Sequence, residues 1–151
     1  MLENLNQRII SELRTLTPEG MDLTIPPPIF EELRPHFVQY VPHRLLKMVV
    51  PAQQQFANPS GNLQGGILTA AFDAAFGVLA FLSSTRPATT VTLETSYIGP
   101  VAADGEEVTI EVLLRARTRS MVFLDGTAHT NEGQLAATAK ATFSIQQAVK
   151  E

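Results

Sequence analysis

The chain has no cysteine, only three histidines and no excess of positive charge, and each shortage removes a class of chemistry. Without a thiol, disulfide stapling, thiolate nucleophiles and thiolate metal sites are excluded. His36, His43 and His129 are far apart and follow no HExxH-type spacing, so no metal site is expected. With 11 basic against 15 acidic residues the net charge is −4, and no clustered Lys/Arg stripe offers the phosphate contacts that a nucleic acid requires. No nucleic-acid partner is expected. Glu3, Arg8, Glu12 and Arg14 interrupt the apolar positions of the N-terminus, unlike a secretory signal. No other segment reads as the run of roughly 18 or more apolar residues that spans a bilayer. A cytoplasmic protein with no membrane partner is the expectation.

What remains is ordinary globular material: 151 residues, 44% of them hydrophobic, enough for one domain with a real core. Leu2, Leu5, Ile9, Leu13 and Leu16 recur at helical spacing and predict an amphipathic helix over residues 2 to 16. Pro26-Pro27-Pro28 forces an extended connection, and Pro35 and Pro42 predict an irregular or briefly helical stretch after it. Residues 1–43 thus read as a helix and a proline-rich wrapping segment, with the main body over 44–147.

That body opens with a strand from Leu45 to Val50, ended by Pro51. A helix from about Gly65 to Leu82 follows, apolar on nearly every face with Asp73 its only charge, and is expected to be buried almost all round. Four segments with period-two alternation come next: Thr89 to Ile98, a second carrying Val108, Ile110, Val112, Leu114 and Ala116 on one face, Met121 to Thr130, and a last with Leu135 through Ile145. Asp104-Gly105, Thr118-Arg119-Ser120 and Asn131-Glu132-Gly133 supply turn chemistry between them. One strand, a buried helix and four antiparallel strands make an α+β pattern in which a curved sheet wraps the helix.

The stretch from Asn58 to Gly77 carries the chemistry. Gly65 and Gly66 open the helix, where the first N–H groups lack intrahelical partners and the dipole favours anions. They read either as an oxyanion hole or as a tight helix entry. Asp73, buried without a cation, reads as a base or nucleophile, or as a carboxylate satisfied by Ser, Thr or backbone donors. Asn58 either orients the reacting groups or forms an Asx turn before Pro59-Ser60-Gly61. Thr90 and Thr92 stand near the start of a strand beside the site and either hold a water or pack, with Thr90 preferred. Arg115, Arg117 and Arg119 form a local cation group that suits phosphate or simply solvates a sheet edge.

Asn58, Gly61, Gln64-Gly65-Gly66 and Asp73 resemble the motif of the PaaI-like branch of hotdog-fold acyl-CoA thioesterases. The likeness continues through Thr90 to Tyr97 with Gly99-Pro100, Arg119-Ser120 and Gly133 to Phe143, and so covers about residues 45 to 145. It implies a hotdog fold and hydrolysis of an acyl-CoA to free acid and coenzyme A, with coenzyme A as part of the substrate and no further cofactor. It also implies a catalytic role for Asp73, for the Gly65 and Gly66 amides, and for Asn58 and Gln64 in positioning, with Arg119 at the coenzyme A tail. The family's histidine is replaced by Gln64, which forms hydrogen bonds but shuttles no proton near neutral pH. That replacement motivates an alternative, an acyl-CoA or lipid-like ligand binder without efficient hydrolysis. A hotdog hydratase is disfavoured, because no histidine lies between residues 58 and 82.

Asp73 follows the glycines by seven to eight residues, which is roughly 10 to 12 Å along one helix. Both ends reach one carbonyl only if they come from different subunits, which predicts active sites shared across a homodimer. The family's habit of pairing dimers implies a tetramer. Phe76, with Phe72 and the aromatics around Phe30 and Phe37, is a candidate wall for the acyl group, or core.

Overall fold

The computed structural model describes residues 2–147. The first helix, α1 (Leu2–Leu16), has the expected bounds and buries Ile9 and Leu13. The Leu2 side chain, first in the predicted stripe, lies outside the described residues. The wrapping segment follows, with a cis Ile25-Pro26 bond and a short helix, α2 (Ile29–Leu33). Two side chains tie it down: Arg14 donates to the Ile25 carbonyl at 2.9 Å, and Gln53 donates to the Glu32 carbonyl at 2.5 Å.

The chain then forms β1 (His36–Val41), which the sequence reading missed. Pro35 and Pro42 bracket this strand instead of breaking it, because β1 is the outer strand of the sheet, where a missing N–H costs no ladder bond. β1 pairs with β2 (Leu45–Pro51), so the boundary expected between residues 43 and 44 falls inside a hairpin. Asn6 of α1 accepts a hydrogen bond from the Phe37 N–H at 2.9 Å, which fastens the helix to that hairpin. Burial first, and the Glu12 charge second, push the Tyr40 phenol above its ordinary value, a sign of how closely α1 covers β1.

A 20-residue helix, α3 (Gly65–Ser84), precedes β3 (Ala88–Tyr97), β4 (Glu107–Arg117), β5 (Met121–His129) and β6 (Leu135–Ile145). All pairings are antiparallel, and the spatial order β1-β2-β4-β5-β6-β3 leaves β1 and β3 as the two edges. The predicted inward faces hold over most of β4 and β6. Each is cut short at one end by a register shift, β4 at Leu114/Ala116 and β6 at Leu135, opposite the shift at Ala128/His129 of β5. The turns follow the predicted residues: Gly105 and Gly133 adopt φ of 90° and 83°, conformations costly for other L residues.

Two expectations about α3 are corrected. It is long and apolar enough to cross a membrane by length and composition, contrary to the sequence reading, yet 56% of its most apolar window is buried inside the protein, as in a core helix. It is also not buried all round. Leu68, Phe72, Phe76 and Leu79 lie in the concave side of the sheet, with the Phe72 and Phe76 rings stacked at 5.9 Å. Their seat is Gly126 of β5, where a Cβ would stand 2.9 Å from the Phe76 ring. The opposite strip, through Gly66, Thr69, Asp73 and Gly77, is open or half open, because one sheet covers only one side of a helix.

A candidate active site in two halves

Asp73 sits on that open strip and is exposed, not buried as the sequence suggested. Its partner is Thr90, whose hydroxyl donates to Asp73 Oδ1 at 2.7 Å. The contact depends on an irregularity in β3: the register shifts between Thr90 and Thr92, which places Thr90 toward α3 along with Thr95 and Tyr97. Thr92 lies instead with Glu94, Lys140 and Arg115 around a different hollow. The structure therefore joins Thr90, and not Thr92, to the carboxylate.

Beside Asp73 opens an apolar hollow of about 340 Å³, walled by Ile25, Ile29, Phe30, Phe81 and Phe143 among others. The wrapping segment supplies one wall and α3 the other. Phe30 lines this hollow, whereas Phe76 is fully buried behind Phe72, the core alternative of the two readings given for it.

The glycine end of α3 forms a second, separate hollow of about 370 Å³, lined by Asn58, Gly65, Tyr97 and Pro100 among others. Among the described residues the Gly65 and Gly66 amides have no hydrogen-bond acceptor, as expected of a helix start. Gln64 occupies the N-cap position, exposed and without a side-chain capping bond. Asn58 Oδ1 accepts from the amides of Ser60 and Asn62 at 3.0 and 3.1 Å, so this side-chain oxygen is engaged in the Asx-type turn.

Three residues that the sequence reading gave no role stand here. The Tyr97 hydroxyl donates to the Gly65 carbonyl at 2.9 Å and lies 2.5 Å from Thr69 Oγ1, which is also 2.9 Å from Thr95 Oγ1. Gly65, Thr69 and Asp73 recur every four residues, one face of a helix, and that spacing was the available signal. Of the three arginines, Arg115 pairs with Asp125 at 3.2 Å and Arg117 donates to the Ser83 carbonyl at 2.6 Å. Arg119 alone of them has no side-chain partner among the described residues, in the exposed β4–β5 turn.

A carboxylate held by a hydroxyl, and unsatisfied amides at a glycine-rich helix start, are the components of an acyl-transfer site. Comparison with known families is then decisive: the thioesterase superfamily matches residues 60–137, just over half of the chain. The chain belongs to the thioesterase superfamily. It is a thioester hydrolase with the hotdog fold. The E. coli PaaI protein superposes with a TM-score of 0.78 at 12% identity, covering 97% of each chain. A thioesterase from Haemophilus influenzae gives 0.76 at 16% identity, covering 100% of this chain and 94% of its own. A Streptococcus mutans protein solved with acetyl-CoA bound gives 0.69 at 18%, covering 76% and 90%. A search of curated protein sequences finds no match.

Proposed function

We propose that this thioesterase hydrolyses acyl-CoA to free acid and coenzyme A at two equivalent sites between the subunits of a homodimer. The observation that carries the reading is the Asp73–Thr90 pair, exposed on α3 at the mouth of an apolar hollow. Thr90 occupies Oδ1, which leaves Oδ2 to take a proton from water while the Thr90 oxygen accepts from the same water. The acyl group lies against Ile25, Ile29, Phe30 and Phe81, and the hollow's size suits a medium chain or an aryl group. The S. mutans neighbour's acetyl-CoA supports the choice of thioester.

The carbonyl oxygen needs donors, and those nearest in kind are the Gly65 and Gly66 amides, whose hollow is separate from that of Asp73 in one chain. A second copy solves the distance. The exposed edge strand β3 supports such an assembly, with Val91 and Tyr97 on it and Ile98 just past its end each more than half exposed at 56, 54 and 58%. Two such dimers form the tetramer. Gln64 contributes hydrogen bonds beside the glycines, and the proton chemistry falls to Asp73. Arg119, free in its turn, receives the phosphates of the coenzyme A tail.

A thiol-release screen over short, medium, long and aromatic acyl-CoAs identifies the best substrate, and Asp73→Asn is then tested on it. Turnover should fall by about 10²- to 10⁴-fold, the usual worth of a positioned base, with melting and oligomeric state unchanged. Unchanged turnover would sink the assignment.

A further inference from the structure

Helix α3 begins with two consecutive glycines, the residues with the greatest backbone freedom, and without a capping side chain from Gln64. Helix ends fray, and donors stabilise a developing charge well only when they are already in place. Something must hold this turn still.

Tyr97 is placed to do so. Its ring lies so close to Gly65 that an added Cβ would stand 3.0 Å from Cζ and 3.1 Å from Cε1. Its hydroxyl donates to the Gly65 carbonyl at 2.9 Å, and Thr69 Oγ1, 2.5 Å away, holds the phenol oxygen from another side. The Gly65 carbonyl and the Gly66 N–H belong to one planar trans peptide and point in opposite directions. Holding the carbonyl against β3 therefore aims the Gly66 N–H away from β3. An added Cβ on Gly66 meets no atom within 4 Å, so that side of the turn has room for a substrate. A hydrogen bond accepted by the carbonyl also polarises the peptide and strengthens its N–H as a donor.

We propose that Tyr97 is a positioning residue for the oxyanion end of the site: its bond to the Gly65 carbonyl fixes the Gly65–Gly66 peptide so that the turn's amides face the thioester oxygen. This rests on the hydrolytic reading above. Tyr97 acts through the peptide and takes no proton from the reaction.

The test is Tyr97→Phe in the full-length assembled enzyme, a change that keeps the ring over Gly65 and removes only the hydroxyl. With the best acyl-CoA from the screen, kcat should fall about tenfold while KM stays within about twofold, since the lost alignment matters most in the transition state. Melting temperature and oligomeric state should hold. Thr69→Val should give a smaller loss of the same kind.

A second readout bears directly on the peptide: the thioester carbonyl stretch of acyl-CoA bound to Asp73→Asn enzyme, measured by difference infrared spectroscopy. Adding Tyr97→Phe should move the band back toward its frequency in free acyl-CoA. Wild-type kcat with an unmoved band overturns the proposal. So does a loss of kcat that only follows loss of folded or assembled protein. If Asp73→Asn itself keeps full turnover, the functional reading fails, and the carbonyl band still decides the role of Tyr97.

Discussion

The two faces of α3 obey different rules. One presents Leu68, Phe72, Phe76 and Leu79 to the sheet, all but sealed from solvent. The other presents glycine, threonine and one carboxylate to a side that only the edge strand β3 borders. The packed face has large rings seated on a glycine of the opposing strand, so a change of a single carbon is felt there. The open face is small and polar, and its atoms engage β3 hydroxyls one by one. On the proposed function, stability belongs to one side of the helix and chemistry to the other, and substitutions should separate them.

The largest effect is expected on the packed face. Phe76→Ala removes a ring at 0% exposure that stacks on Phe72 and fills the space above Gly126. The cost should be about 3 to 5 kcal/mol, a fall in melting temperature of roughly 6 to 20 °C for a chain of this size. Calorimetry checks it. Protein that remains folded should keep most of its kcat, because Phe76 lines neither of the two hollows. A selective loss of kcat without loss of stability would erase the distinction between the faces.

On the open face Gly66→Ala should do the reverse. Nothing lies within 4 Å of the added Cβ, and Gly66 has no positive φ, so the chain accepts alanine without strain. Alanine restricts the unfolded chain and favours helix, which should stabilise the fold by about 0.4 to 1 kcal/mol. The same methyl keeps the thioester from approaching the amides, and a displacement on the order of 1 Å costs about 10²-fold in rate. A variant both more stable and markedly slower is the expected outcome. Full activity with higher stability would show that the turn never touches substrate.

Much of this contrast was legible in the sequence, and the failures have physical causes. Alternation placed β3 to β6 because their inward residues alternate with polar ones over long runs, the strongest signal of a half-buried strand. β1 was hidden because a proline stands at each of its ends, and a single sequence does not reveal which strands lie at a sheet edge. The open strip of α3 was hidden for a different reason. Alanine and glycine suit a surface waiting for another chain as well as a core, so composition alone made the helix look enclosed. Strict alternation, finally, puts Thr90 and Tyr97 on opposite faces of β3. The register shift after Thr90 brings both to α3, and no residue between them announces it.

That shift makes Thr90 the finest test of the open face. Thr90→Val keeps nearly the same volume and the β-branched shape that a strand prefers, and removes only the hydroxyl that donates to Asp73 Oδ1 at 2.7 Å. Thr90 is a partly buried edge-strand residue, so stability should change by no more than about 0.5 kcal/mol. The carboxylate, however, becomes free to rotate, and the water of the proposed mechanism loses one of its two holders. A hydrogen bond to a charged group is worth about 1.5 to 3 kcal/mol, and solvent around an exposed carboxylate recovers part of it, so kcat should fall about three- to tenfold. Combining Thr90→Val with Asp73→Asn sharpens the point. If Thr90 acts only by orienting Asp73, the double variant should be no slower than Asp73→Asn alone, whereas multiplying losses would give Thr90 a role of its own in holding the water.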